Sequence, residues 1–147
     1  MTRERVGCAL VGLAVGALLD SFVLHQLLQW HHVWSRRSTA TTLSGIERNV
    51  FADGVLNGAS LATLLLGLGL MLGRPIEARP FVALGLIGWG LFQIFDEGVF
   101  HLAFGAHHIR EGVEDPALYD WAFVALGFVF MTIGFVARRR TSRATPT

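Results

Sequence analysis

The chain has no lysine, a single cysteine, a single tyrosine and four prolines among 147 residues, and only 16% of its residues are charged. Each scarcity excludes something. One cysteine, Cys8, rules out an intrachain disulfide and any thiol-rich metal motif. Twelve arginines against eleven acids give a net charge of +1, with no basic face for a nucleic acid. A soluble domain of this size carries about a quarter charged residues. This chain falls well short and is 52% hydrophobic, with a mean hydropathy of +0.51. That excludes a disordered chain and a soluble enzyme with a charged shell. What is present in quantity is apolar sequence in long runs, together with six histidines confined to two short stretches.

Four apolar runs stand out, from about Val6 to Trp34, Val50 to Leu72, Pro80 to His108 and Leu118 to Ala137. Each reaches the roughly 20 residues that cross a ~30 Å hydrocarbon core. Polar Ser35 to Arg48, the Gly73-Arg74-Pro75 turn and acidic Glu111 to Pro116 separate them. The first run resembles a leader peptide at its start, but it continues ten residues past Asp20, so it is read as a span. The expected fold is all-α, a four-transmembrane-helix bundle forming one domain over residues 1–140, with a disordered tail at 141–147. With both termini inside, Arg3, Arg5, Arg74, Arg79, Arg138, Arg139, Arg140 and Arg143 face the cytoplasm, and Arg36, Arg37, Arg48 and Arg110 face out. That distribution predicts a multi-pass protein of a bacterial inner membrane with cytoplasmic termini.

The first and third runs align. Asp20, His25, His31 and His32 correspond to Asp96, His101, His107 and His108, each pair 76 residues apart. Both copies read D-x4-H-x5-H-H, and all six histidines fall in the pattern. The bundle is therefore expected to be two tandem two-helix repeats, about 1–75 and 76–140, related by a pseudo-twofold axis along the membrane normal. On a continuous α-helix at 100° per residue, His25 and His32 share one stripe with His101 and His108 as their counterparts. Asp20 with His31, and Asp96 with His107, share a second stripe. The aspartates then lie ~18 Å deeper than His32 and His108.

Ionisable side chains at that depth cost at least about 2.5–3.5 kcal/mol each on insertion scales, so they are expected to face one another or a cation. Glu97 stands four residues before His101, the spacing at which a carboxylate orients an imidazole, and Ser21 stands before His25. Asp53 and Asn57 share a face of the second span, and Asp120 opens the fourth. The metal candidates are His25, His31, His32, His101, His107 and His108 with Asp20, Asp96 and Glu97. His25, His32, His101 and His108 are the primary ligands, and Asp53, Asn57 and Ser21 are supporting residues. Imidazole without thiolate suits copper or iron, and also zinc. The competing readings are haem b held between His25 and His101, and a polar or proton-conducting network of the same groups. Lipid is the expected environment; a respiratory oxidase or other membrane partner and a homo-oligomer are the interactions considered, and nucleic acid is not.

Asp20 with His25-Gln26, Leu28-Gln29-Trp30-His31-His32, Phe51-Ala52-Asp53-Gly54, Gly88-Trp89-Gly90 and His107-His108-Ile109-Arg110 carry a family likeness. The chain resembles a bacterial family of small four-helix predicted membrane proteins of unknown function. The resemblance implies the four-helix fold and no particular activity. It also implies glycine where Ser21 stands and histidine where Asn57 stands, so this chain departs from the pattern twice.

Overall fold

The computed structural model describes residues 2–143. Among them, α1 (Arg3–Asp20) runs directly into a π-helical segment (Ser21–Leu27), and α2 (Leu43–Met71) follows after a loop. Then α3 (Ala78–Asp96) runs into a second π-helical segment (Glu97–Ala103), and α4 (Pro116–Arg143) closes the chain. The apolar helical spans contain 25, 29, 26 and 24 residues, each enough to cross a membrane. Central α1 and α3 pack on each other, α2 flanks α1, and α4 flanks α3. The flanking helices expose Phe51, Leu65, Trp121 and Phe128 over their outer faces, as lipid contact requires.

The bundle has two unlike halves. Toward the termini it is tightly packed through glycine. A Cβ on Gly12 would run into the Gly85 carbonyl, and one on Gly88 into the carbonyl of Ala9, so α1 and α3 touch backbone to backbone. Without a hydrophobic force between helices in lipid, such close van der Waals contact is what holds them together. Gly67 meets Gly7, Gly90 meets Gly127, and Gly134 meets Ala83, whereas Gly69 faces open space. Cys8, Leu84 and Ile87 form the small apolar core of this half. Toward the loops the interior is polar instead: all six residues Asp20, His25, His31, Asp96, His101 and His107 are buried.

Four boundaries differ from the sequence reading, three of them for a local reason. The second helix begins at Leu43 rather than Val50, because Thr42 accepts a hydrogen bond from the Gly45 N–H and caps it. The polar Ser35–Arg48 stretch is thus half helix. The first and third helices stop at Leu27 and Ala103, short of Trp34 and His108. There Gln29 and Gly105 take left-handed φ of 50° and 54°, and the N–H groups of Trp30 and Ala106 return to the carbonyls of Leu24 and Phe100. A left-handed residue just past the end is a common helix stop. At the C-terminus α4 continues to Arg143, into the stretch expected as a tail, and 144–147 lie outside the described residues.

Candidate metal centre

The π-helical segments decide which side chains meet. In an α-helix, residues five apart point about 140° away from each other. A π turn closes i→i+5 bonds and brings such residues toward one face. Asp20 and His25 are five apart across the junction of α1 with its π segment, and Asp96 and His101 repeat this on α3. His25 Nε2 lies 3.4 Å from Asp20 Oδ2, and His101 Nε2 lies 3.2 Å from Asp96 Oδ2. The separate stripes drawn for a continuous α-helix do not exist here, because the helix widens at Ser21 and Glu97 and ends before either His-His pair.

After each π segment the chain turns back and returns one histidine to the interior. His31 packs against His25 with ring centroids 4.4 Å apart, and His107 against His101 at 4.2 Å. His31 and His107 stack face to face at 4.5 Å and 10°. The four rings form a continuous row: His25, His31, His107, His101. Two groups able to hold an ion result, Asp20 with His25 and His31, and Asp96 with His101 and His107, the ligand atoms of each lying within 4.8 Å of one another. A third such group, Glu97 with His101 and Asp120, shares His101 with the second.

Three of the four rings are held by a hydrogen bond at Nδ1. His31 Nδ1–H donates to the Ile109 carbonyl at 2.9 Å, and His107 Nδ1–H to the Val33 carbonyl at 3.0 Å, so each loop holds the other's histidine. His25 Nδ1 is 2.9 Å from Asp53 Oδ1, a hydrogen bond. His101 Nδ1 lies between two carboxylates, 3.0 Å from Glu97 and 3.5 Å from Asp120. A carbonyl cannot donate, so His31 and His107 carry their proton on Nδ1 and turn a lone pair on Nε2 inward. The Nε2 atoms of His25, His31, His101 and His107 are all buried without a hydrogen-bond partner among the described residues. Burial holds the His31 and His107 imidazoles well below the ordinary histidine value, His107 at about 4, with the neighbouring histidines adding to the effect. Both rings are therefore neutral at neutral pH, the form that binds metals.

His32 and His108, expected as primary ligands, stand at the rim. His32 Nδ1 is 2.7 Å from Asp53 Oδ2, and His108 Nδ1 is 2.6 Å from Asp120 Oδ2. Arg36 Nη1 donates to His108 Nε2 at 3.3 Å, which occupies the nitrogen a metal would need. Asp53, expected as a supporting residue, contacts both His25 and His32, and its Oδ1 also accepts from the Val33 N–H at 3.0 Å. Asp120 does the same for Ile109 at 2.9 Å. Its part was missed, although an acid at the start of the fourth span, like Asp53 near the start of the second, was a readable signal. Ser21 is fully buried with an unpartnered hydroxyl, while Asn57 sits half-buried on α2 with no hydrogen bond to the cluster among the described residues. Asn49 Nδ2 donates to the Ser38 carbonyl and ties the first loop to α2, a structural role without a sequence signal.

No curated protein and no solved structure matches the chain. A family model does: that of the predicted membrane proteins called DUF2243, which covers residues 7–141, so with its four apolar helices the chain belongs to this family of membrane proteins.

Proposed function

We propose that this membrane protein binds two transition-metal ions side by side in the loop half of its bundle. The first ion is held by Asp20 Oδ2 with His25 and His31 Nε2, the second by Asp96 Oδ2 with His101 and His107 Nε2. The observation that carries this reading is the set of four buried Nε2 atoms without partners among the described residues, three of them on rings hydrogen-bonded through Nδ1 and the fourth on His101, whose Nδ1 lies 3.0 Å from the Glu97 carboxylate. Orientation of that kind is how proteins prepare imidazoles for metals. Nitrogen and oxygen ligands about 2.0–2.1 Å from one ion at tetrahedral angles sit ~3.3 Å apart. The Asp20–His25 and Asp96–His101 separations of 3.4 and 3.2 Å fit that edge. Two imidazoles and one carboxylate with positions left open is the set that holds non-haem ferrous iron. Copper and iron are the expected metals, and the tetrahedral edge keeps zinc possible. The matched residues at a 76-residue offset make the pair a duplicated site about a pseudo-twofold axis, used for metal handling or redox chemistry. The arginine distribution supports cytoplasmic termini in a bacterial inner membrane, with the site toward the outer side.

The two competing readings fare worse. Haem between His25 and His101 lacks room, since His31 and His107 each lie within 6.3 Å of both rings and fill the space between them. A purely structural polar network satisfies its own members. Here eleven buried side-chain atoms among the described residues lack partners, and all but Asn49 Oδ1 and Gln93 Oε1 belong to the cluster. The test is elemental analysis of the purified protein with a visible spectrum. About two ions per chain are expected, falling to about one in either His25→Ala or His101→Ala and to none in the double variant, as the loss of one of three ligands implies. A folded protein without metal, or a haem absorption band, overturns the proposal.

A further inference from the structure

A cleft of about 340 Å3 lies between α2 and the π-helical end of α3. Its walls are apolar, formed by Val33, Ala52, Val55, Leu56, Ala59 and Phe100, and its polar groups are His25, Asp96 and His107, members of both metal sets. Val55 and Ala59 sit about 18 and 24 Å along α2 from its start, at the depth of the bilayer. Phe51, on the same wall, is 74% exposed, and Val55 is exposed too, so this side faces lipid. Phe51 and Trp34 also line the wide basin at the loop end, where Arg37, Glu47 and Arg48 stand. The two aromatic rings thus separate a polar basin from an apolar cleft.

The cleft's polar end selects its occupant. In the metal-free protein, Asp96 Oδ2 and the Nε2 atoms of His25 and His107 are buried without partners among the described residues; with ions bound they are ligands, and a hydroxyl in the cleft meets the open metal positions instead. An acyl chain would leave such groups without a partner, and a buried polar group without a partner is unfavourable. A fatty-acid carboxylate would bring a second negative charge against Asp96, an unfavourable pairing in a low dielectric. A water-soluble solute gains nothing from the apolar walls. A neutral ring bearing a hydroxyl matches both ends: its O–H reaches Asp96, its face packs on Phe100 and Trp34, and an apolar tail leaves between the helices. The geometry points to a lateral binding cleft for a membrane-dissolved hydroxyarene of the quinol class, entering between α2 and the end of α3 with its hydroxyl toward Asp96 and His107. This inference names a substrate class for the proposed metal centre and rests on that reading only for what the hydroxyl meets when ions are bound.

A second cleft, of about 450 Å3, lies between the end of α1 and α4 and provides an internal control. Asp20 and Gln93 reach it, no histidine does, and Trp30, Trp89 and Tyr119 line it. The test uses the full chain in phospholipid nanodiscs, metal-loaded and chelator-stripped, with a photoactivatable azido-benzoquinol carrying a decyl tail. Saturable labelling is expected within 51–59 and 96–107 and is displaced by unlabelled decyl-benzoquinol. Ala59→Phe, which fills the first cleft from its lipid-facing wall, is expected to weaken labelling at least about tenfold, whereas Ala122→Phe in the second cleft leaves it unchanged. Labelling that does not saturate, spreads evenly along α2 and α4, is displaced equally by a fatty acid, or ignores Ala59→Phe overturns the inference. The two proposals fail separately. Saturable cleft labelling in a protein that never takes up metal retires the metal reading and keeps this one; two bound ions without saturable labelling do the reverse.

Discussion

The two histidine sets share most of their scaffold contacts, and beside the inner histidine they differ in one buried residue. In both, a five-residue step across a π junction joins aspartate to histidine, a returning histidine is held by the opposite loop, and a carboxylate from a flanking helix ties the rim histidine and the following backbone N–H. The difference lies at Ser21 and Glu97. In the first set nothing stands between His25 and Asp53, and they bond at 2.9 Å. In the second, Glu97 reaches His101 at 3.0 Å and Asp120 stays back at 3.5 Å. The frame around the two sets is alike, and the charge beside the inner histidine is what differs. The second set has one more carboxylate, so the proposed metal reading expects it to hold its ion more strongly.

The sharpest way to break this comparison is to remove the two flanking carboxylates in turn. Asp53 bonds His25, His32 and the Val33 N–H, whereas Asp120 bonds His108 and the Ile109 N–H, with His101 at a longer distance. Breaking a buried charge pair on one side costs about 3–5 kcal/mol. Asp53→Ala is expected at that level, and Asp120→Ala lower by about the 1.5–3 kcal/mol of one charge-assisted bond, since Glu97 still holds His101. Unfolding in mixed micelles measures both. Equal losses would mean that Glu97 does not share the work of Asp120. The next effect is on the metal. Glu97→Ser gives the second set the composition of the first, so its affinity is expected to fall by about 10–100-fold, the usual effect of losing a residue that orients a ligand. Two binding steps in a metal titration should then merge into one; steps that stay apart would show that Glu97 is not the source of the difference.

Much of this was legible in the sequence. The spacing D-x4-H-x5-H-H picks out all six histidines and their aspartates, and the long apolar runs foretell four helices. The sequence could not show which histidine of each His-His pair points inward, because that depends on where the helix stops. Helical periodicity assumes an unbroken α-helix, and on one Asp20 and His25 diverge. Only the wider π turn, for which no residue type is a signature, brings them together. Gly105 was the readable hint of a stop before His107, but Gln29 occupies the matching place and conceals it in the first half. Asp120 was visible as an acid and silent as to its target, since its contacts to His108 and Ile109 depend on how the second loop folds back.

Gln29 and Gly105 offer the finest test of the comparison. Both hold a left-handed φ at the same point of the motif, yet Gln29 is the only residue other than glycine with a positive φ among the described residues. A side chain there costs roughly 1–2 kcal/mol relative to an unstrained backbone, and glycine adopts the conformation freely at the expense of a more flexible unfolded chain. Gln29→Gly is therefore expected to stabilise the protein by a net ~0.5–1 kcal/mol, and Gly105→Ala to destabilise it by about as much. Metal content should be unchanged in Gln29→Gly, because the turn that returns His31 to the interior is kept. A Gln29→Gly variant that loses stability would mean that the glutamine side chain holds the first turn through contacts that outweigh its backbone strain, and the two turns would then be alike in shape but not in what maintains them.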